Sequence, residues 1–139
     1  MENCNPNNHI EIWLLDDDDI VRSTTAQWLR LSNYEVREFQ EGQELLNQFR
    51  LGLPCIIVSD IRMTPIDGLT LMSICLSKEN ELPFILITGH GDVDTAVNSL
   101  RDGAFDFLEK PFDPNRLLQT VEKAIQLRSV QLQHANQSQ

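Results

Sequence analysis

The sequence predicts an α/β fold in which helices cover both faces of a five-stranded parallel sheet. Short apolar runs alternate with amphipathic stretches along the 139 residues, as expected when a helix follows each strand. Two runs, Ile56-Ile57-Val58 and Phe84-Ile85-Leu86-Ile87, are apolar on both faces, which is typical of strands in the centre of a parallel sheet. A chain of this length is expected to form one domain.

The individual elements follow from periodicity and from local capping signals. The strands are predicted at residues 10–15, 34–39, 55–60, 83–88 and 104–108. Helical spacing is seen in four stripes of apolar residues: Leu45, Leu46, Phe49; Leu69, Met72, Leu76; Val93, Ala96, Val97, Leu100; and Leu117, Val121, Ala124, Ile125. Asp92 and the pair Asp113-Pro114 are expected to cap the last two helices.

Composition excludes several classes of protein. The formal net charge of -10, with 21 acidic and 11 basic residues, argues against direct binding of nucleic acid by this segment. The three cysteines form no CxxC pair, and no apolar run approaches the ~20 residues of a membrane span. We therefore expect a cytoplasmic protein with a polar tail at 1–9, a domain at 10–126, and a helix extension or linker at 127–139.

Polar residues stand where four of the strands are expected to end. They are Asp16 and Asp17 after the first strand, Asp60 at the end of the third, Thr88 at the end of the fourth, and Lys110 after the fifth. The carboxyl ends of parallel strands share one sheet edge, so these groups are expected to converge. They suit Mg²⁺-dependent phosphoryl transfer to an aspartate, which needs no general base. The simpler alternative for Asp16 and Asp17 is a solvated helix N-terminus.

At these positions the chain resembles the receiver domains of bacterial two-component response regulators, over about residues 10–125. The matching motifs are the acidic pair, Ser59-Asp60-Ile61-Arg62-Met63, Asp67-Gly68, Thr88-Gly89-His90-Gly91-Asp92, Gly103-Ala104-Phe105-Asp106-Phe107 and Lys110-Pro111-Phe112. The sequences of these motifs are most similar to those of receivers of the NtrC/DctD type, which are attached to transcription activators, or of the FixJ type. The resemblance implies a flavodoxin-like, three-layer (βα)5 fold with strand order 2-1-3-4-5.

The resemblance also implies a role for each site residue. Asp60 would accept a phosphoryl group from a sensor histidine kinase, and the domain would be a signalling phosphoacceptor that catalyses only its own phosphotransfer and dephosphorylation. Mg²⁺, or Mn²⁺, would be held by Asp17, Asp60 and the Arg62 backbone carbonyl, with Asp16 acting through water. The remaining roles are Thr88 and Phe107 as switch residues, Lys110 as partner of the phosphoryl group after a cis peptide bond to Pro111, and Arg62 and His90 as residues that tune water access.

The same resemblance implies how the signal leaves the domain. Phosphorylated receivers of this kind often pair through the fourth helix, fifth strand and fifth helix. That pairing would control a transcriptional output domain absent from this sequence.

Two positions depart from the family pattern. Thr64-Pro65-Ile66 stands where the proline usually comes one residue earlier, so the loop beside Asp60 is expected to take a different path. Phe107 replaces the common tyrosine and lacks its hydroxyl.

Two other functions stay open. A degenerate receiver could act as a phosphorylation-independent interaction module. A haloacid-dehalogenase-like phosphohydrolase would also use an aspartyl phosphate, but it needs a second aspartate two residues after the nucleophile, where this chain has Arg62. A flavodoxin-like cofactor site is excluded, because the aspartates after the first strand would repel a flavin phosphate.

Overall fold

Strands and helices alternate in the computed structural model, which describes residues 10–89 and 91–137. The predicted polar tail at 1–9 and the predicted role of His90 lie outside these residues. The elements are β1 (Glu11–Leu15), α1 (Asp19–Leu31), β2 (Glu35–Phe39), α2 (Gly42–Gln48), β3 (Cys55–Asp60), α3 (Gly68–Lys78), β4 (Phe84–Thr88), α4 (Val93–Arg101), β5 (Asp106–Glu109) and α5 (Pro114–Gln137).

The five strands form one parallel sheet in the order β2-β1-β3-β4-β5, which confirms the predicted fold class and strand order. Every residue of β3 and β4 is buried, as expected for strands with neighbours on both sides. The strand order reverses between β1 and β3, so the chain leaves these two neighbouring strands in opposite directions across the sheet. This arrangement opens a crevice at their carboxyl ends.

Helices cover both faces of the sheet and give two separate core layers. Leu45 of α2, Met72 of α3 and Ala96 of α4 lie in the cluster on one face. Leu29 of α1 and Val121 of α5 lie in the cluster on the other face. The result is the three-layer architecture that the alternating sequence pattern predicts.

The fifth strand begins at Asp106, two residues later than predicted. Residues 103 and 104 end α4 instead: Gly103 has a positive φ of 111°, and its N–H donates to the Leu100 carbonyl. The Ala104 N–H donates to the Ser99 carbonyl, which completes a Schellman motif. Ala104 therefore belongs to the helix terminus, and the prediction of a strand there was wrong.

Helix α4 contacts the sheet through small side chains. Ala96 and Ser99 are its buried residues, whereas Val97 and Leu100 are 46% and 41% exposed. The apolar stripe of this helix therefore faces the core only in part, since its Val97 and Leu100 turn outward. Little apolar area holds this helix in place.

Helix α5 continues without a break through residue 126, where the predicted domain ends. Arg128 and Ser129 are buried, and Leu132 packs against the core layer on its side. The boundary at 126 thus stays a prediction, and the helix beyond it contacts the domain. Within residues 10–89 and 91–137, no helix has the length and apolar character needed to cross a membrane.

Candidate functional site

Lys110 joins two carboxylates at the crevice between β1 and β3. Its Nζ donates a hydrogen bond to Asp60 Oδ2 at 2.8 Å and lies 3.4 Å from Asp16 Oδ2. Asp16 directly follows β1, Asp60 ends β3, and Lys110 directly follows β5. Three residues that are far apart in sequence therefore meet at one point, as predicted from the strand ends.

Backbone hydrogen bonds place these side chains. The Lys110 N–H donates to the Thr88 carbonyl at 2.7 Å, so the lysine enters the site from a position paired with the end of β4. The Lys110–Pro111 peptide bond is cis, as the resemblance implied. The Thr64–Pro65 bond, in the loop that departs from the family pattern, is also cis.

Burial and charge shift the ionisation of the site residues. Desolvation of the buried Asp16 carboxyl raises its pKa, although the Asp18 N–H and Lys110 act in the opposite direction. Burial would lower the pKa of Lys110, but its hydrogen bond to Asp60 and the charges of both aspartates outweigh this, and the pKa is raised. Lys110 is therefore held in its charged form beside the two carboxylates.

Gly68 lets the start of α3 lie directly against the end of β3. A Cβ at this position would come within 2.2 Å of the Asp60 carbonyl oxygen and 2.9 Å of Ile61 Cα. The Gly68 N–H donates to the Ile61 carbonyl at 2.8 Å. Asp60 Oδ1 accepts a hydrogen bond from the Arg62 N–H at 3.2 Å. The carboxylate of Asp60 is thus oriented by the turn that Gly68 permits.

The predicted switch residues lie next to this centre. Thr88 is fully buried at the end of β4, and its hydroxyl donates to the Gly89 carbonyl at 3.2 Å. Phe107 of β5 is half-buried and packs against the core layer that contains Ala96 of α4. The role of both residues as switches stays a prediction.

Arg62 makes a contact that the sequence did not predict. Its guanidinium donates two hydrogen bonds to the Asp92 carboxylate, at 2.8 Å from Nε and 2.7 Å from Nη2. Asp92 occupies the N-cap position of α4, but its side chain makes no capping hydrogen bond. The prediction that Asp92 caps α4 through its side chain was wrong, because Arg62 competes for the carboxylate. The pair keeps the pKa of Asp92 below its usual range.

The oxygen atoms at the site suit a small hard cation. Asp16 and Asp60 converge on Lys110, and Asp17 is exposed beside them. No group of three or more His, Cys, Asp or Glu side chains that could hold a metal occurs within residues 10–89 and 91–137. Mg²⁺ takes one or two carboxylates and fills its other positions with water and phosphoryl oxygens. The residues present therefore fit Mg²⁺.

An apolar groove of about 470 Å³ opens next to Lys110. Its walls come from α1 and from the segment between β5 and α5, and they include Ile20, Trp28 and Phe112. Ile20 is 77% exposed despite its size.

One further residue at the site escaped the sequence analysis. Arg22 of α1 donates to the backbone carbonyl of Asp16 at 2.7 Å and to the carboxylate of Asp19 at 2.8 Å. The spacing of three residues between Asp19 and Arg22 was the available signal, since such pairs meet on a helix surface. The contact with Asp16 could not be foreseen, because it depends on how α1 packs beside β1.

Known proteins are similar to this chain in sequence and in fold. Residues 12–122 match the model of the response regulator receiver domain family. The chain is 40% identical over 124 residues, 89% of its length, to the C4-dicarboxylate transport transcriptional regulatory protein DctD of Pseudomonas aeruginosa, and it covers 27% of that protein. It is 36% identical over 125 residues, 90% of its length, to the DNA-binding transcriptional regulator NtrC of Escherichia coli K12, again covering 27%.

A solved structure supports the same assignment. The receiver domain of NtrX from Brucella abortus superposes with a TM-score of 0.78 at 33% identity, covering 84% of this chain and 98% of that domain. The chain spans only about a quarter of the length of the curated relatives. Family match, sequence identity and fold agree, and the chain belongs to the response regulator receiver domain family, whose members are signalling phosphoacceptors.

Proposed function

We propose that Asp60 is the phosphoacceptor and that a sensor histidine kinase is the donor. The observation that carries the proposal is the contact of Lys110 Nζ with Asp60 Oδ2 at 2.8 Å and with Asp16 Oδ2 at 3.4 Å. A carboxylate oxygen of Asp60 would attack the phosphorus of a phosphohistidine as its P–N bond breaks, and the donor imidazole would leave. Since Asp60 attacks in its ionised form, no general base is required.

The residues around Asp60 would supply charge and orientation. Bound Mg²⁺ would neutralise the negative charge on the transferring group and align it with Asp60. Asp17, Asp60 and the Arg62 backbone carbonyl would hold this ion, with Asp16 acting through water. Lys110 would then pair with a phosphoryl oxygen in place of the Asp60 carboxylate oxygen that it contacts now.

The response to phosphorylation would begin at Thr88. Its hydroxyl would turn from the Gly89 carbonyl toward the phosphoryl group, and Phe107 would move inward behind it. Helix α4 is suited to shift with them, because Ala96 and Ser99 are its buried residues. A shift of this kind changes the population of two states of the face formed by α4, β5 and α5.

That face would carry the signal to a second copy of the chain and to an output domain. Exposed Val97 and Leu100 on α4 support an interface there, since single domains seldom expose neighbouring large apolar residues without a partner. Helix α5 would lead from the domain near residue 126 toward a transcriptional output domain, and the whole protein would act in the cytoplasm.

Phosphorylation in vitro tests the proposal. The protein and its Asp60→Asn and Asp102→Asn variants would be incubated with acetyl phosphate, with and without Mg²⁺, while intact mass and oligomeric state are followed. We expect the wild type and Asp102→Asn to gain one phosphoryl group only with Mg²⁺, and Asp60→Asn to gain none. We also expect the phosphorylated wild type to dimerise. A further variant, Lys110→Ala, should gain the phosphoryl group and stay monomeric.

Two results would contradict the proposal. Phosphorylation of Asp60→Asn at the wild-type rate would show that another residue is the acceptor. No modification of the wild type by any phosphodonor would identify a phosphorylation-independent interaction module.

A further inference from the structure

Arg22 ties the acidic segment after β1 to the rest of the fold. Its side chain is only 14% exposed, and each of its three donating nitrogens has an acceptor. Nη1 donates to the Asp16 carbonyl at 2.7 Å, Nη2 to Asp19 Oδ1 at 2.8 Å, and Nε to Glu38 Oε1 at 3.3 Å. One guanidinium thus joins the end of β1, the first turn of α1 and strand β2.

These contacts complete the restraint of a very short segment. Asp18 is the N-cap of α1, and its carboxylate accepts hydrogen bonds from the N–H groups of Ile20 and Val21. The Asp18 N–H in turn donates to Asp16 Oδ1 at 2.9 Å. Asp17 is therefore an exposed residue between two restrained neighbours, and Arg22 is the group that restrains the carbonyl before it.

The backbone hydrogen bond that ties Asp16 to β2 is long. The Asp16 N–H reaches the Phe39 carbonyl of β2 at 3.4 Å, the long end of hydrogen-bond distances. The hydrogen bond from Arg22 to the Asp16 carbonyl is much shorter, at 2.7 Å, and adds a second restraint on the backbone of Asp16.

We propose that Arg22 is a positioning residue that sets the orientation of Asp16 and Asp17 for binding Mg²⁺. The inference rests on the function proposed above, because it assumes that these carboxylates bind the ion. Arg22 does not contact the ion in this scheme. It acts through the Asp16 carbonyl and through Asp19, which together fix the path of the segment between β1 and α1.

The shape of the side chain matters as well as its charge. A guanidinium presents its N–H groups in a planar fork and can hold several acceptors in different directions at once. A lysine ammonium carries the same charge on a flexible stem and is a compact point charge. Arg22→Lys should therefore keep the local charge and lose the orientation of the segment.

Arg30 provides a matched control on the same helix. Its Nη1 donates to Glu38 Oε2 at 2.8 Å, and its Nη2 donates to the Val36 carbonyl at 2.9 Å. It thus shares Glu38 with Arg22 and also holds a backbone carbonyl, but that carbonyl lies in β2, away from the acidic segment. Arg30→Lys makes an equivalent change but leaves the contacts of Arg22 with the Asp16 carbonyl and with Asp19 in place.

The test is Mg²⁺ titration of the unphosphorylated wild type, Arg22→Lys and Arg30→Lys by calorimetry, with the amide NMR signals of Asp17 and Asp18 as a second measurement. We expect Arg22→Lys to weaken Mg²⁺ binding about tenfold, equivalent to about 1.4 kcal/mol, and to shift both amide signals before Mg²⁺ is added. Arg30→Lys should match the wild type in both measurements. Thermal unfolding of each variant separates these effects from a general loss of stability.

The outcomes distinguish the two proposals. Wild-type affinity and unshifted amides in Arg22→Lys would overturn the positioning role while leaving Mg²⁺ binding intact. Equal weakening in Arg22→Lys and Arg30→Lys would also overturn it, because only stability would then be at stake. A wild type that binds no Mg²⁺ would overturn the proposed function and this inference with it.

Discussion

The guanidinium of Arg62 and the carboxylate of Asp92 form a two-point ion pair that joins the loop after β3 to the start of α4. The arginine side chain is 75% exposed and the aspartate side chain 8% exposed, so an arginine at the surface binds a buried carboxylate. The pair connects the segment that follows Asp60 with the one that follows Thr88. If α4 moves away from its present position, either this ion pair breaks or the Arg62 side chain moves with the helix.

We expect loss of the pair to loosen the first turn of α4. Asp92→Asn and Arg62→Gln should each speed amide hydrogen exchange at Val93 to Ala96, because Ala96 and Ser99 alone are buried in this helix. The double variant should exchange no faster than either single one, since both remove the same interaction. Arg101→Gln, in the last turn of α4, is the control. Additive effects of Arg62→Gln and Asp92→Asn would contradict the coupling.

Gly68→Ala should distort the site at Asp60. The new Cβ would meet the Asp60 carbonyl oxygen at 2.2 Å, and this oxygen belongs to the backbone, which cannot turn aside as a flexible side chain can. We expect the free energy of unfolding to fall by at least about 2 kcal/mol and phosphorylation by acetyl phosphate to slow. Gly89→Ala is the matched control, because a Cβ there has nothing within 4 Å. Urea unfolding measures the stability of both variants. Equal stability of the two would contradict the close approach of Gly68 to the Asp60 backbone.

Asp16→Asn should stabilise the domain in the absence of Mg²⁺. Burial raises the pKa of Asp16, so the folded state loses stability as the pH rises from the ordinary value of 3.8 through the raised one. Asparagine removes this penalty and keeps an oxygen that can accept the Asp18 N–H. We expect the melting temperature at pH 7 to rise by roughly 2 to 5 °C.

The same variant should no longer gain stability when Mg²⁺ is added, whereas the wild type should. Differential scanning calorimetry with and without Mg²⁺ measures both effects. A lower melting temperature of Asp16→Asn without Mg²⁺ would show that Lys110 compensates the buried charge fully.

Glu79→Gln should destabilise the domain and free the last turns of α5. Arg128 is 1% exposed in its side chain and donates to both oxygens of Glu79, at 2.6 and 3.0 Å. It also donates to the Leu53 carbonyl. Removing the carboxylate charge leaves a buried guanidinium without a counter-ion, so we expect a loss of about 3 kcal/mol. Arg116 lies on the same helix as Arg128 and forms an exposed ion pair with Asp106 of β5. Arg116→Gln breaks this pair and should cost far less stability.

The pH dependence of this pair has a definite sign. Burial alone would raise the pKa of Glu79, but the hydrogen bonds from Arg128 and Gly52 outweigh it and lower the pKa below 4.5. The pair therefore contributes its stability above pH 4.5 and loses it as the pH falls through the lowered pKa. Acid unfolding of the wild type and Glu79→Gln should converge at low pH. A constant difference down to pH 2 would contradict the assignment.

The sequence alone determined the fold class, the strand order through the family resemblance, and the positions of the site residues. Strands that are buried on both faces consist of apolar residues, so they can be recognised as apolar runs in the sequence. Parallel strands all have their carboxyl ends at one edge of the sheet, so polar residues at those ends predict a common site. Asp60, Thr88 and Lys110 could therefore be named in advance. The cap at Asp113 was also predictable, and its carboxylate does accept the Asn115 N–H.

Tertiary structure decided the contacts between elements. Periodicity does not reveal that Ala96 and Ser99 are the buried residues of α4 whereas Val97 and Leu100 are exposed. Nor does a capping pattern reveal that Arg62, thirty residues earlier, takes the carboxylate of Asp92.

Arg22 and Arg128 illustrate the same limit. Both look like surface arginines in the sequence, yet they hold the Asp16 carbonyl and Glu79. The physical reason is that long charged side chains find their partners only after helices and sheet have packed. Their pairing depends on distances across the fold that no local pattern encodes.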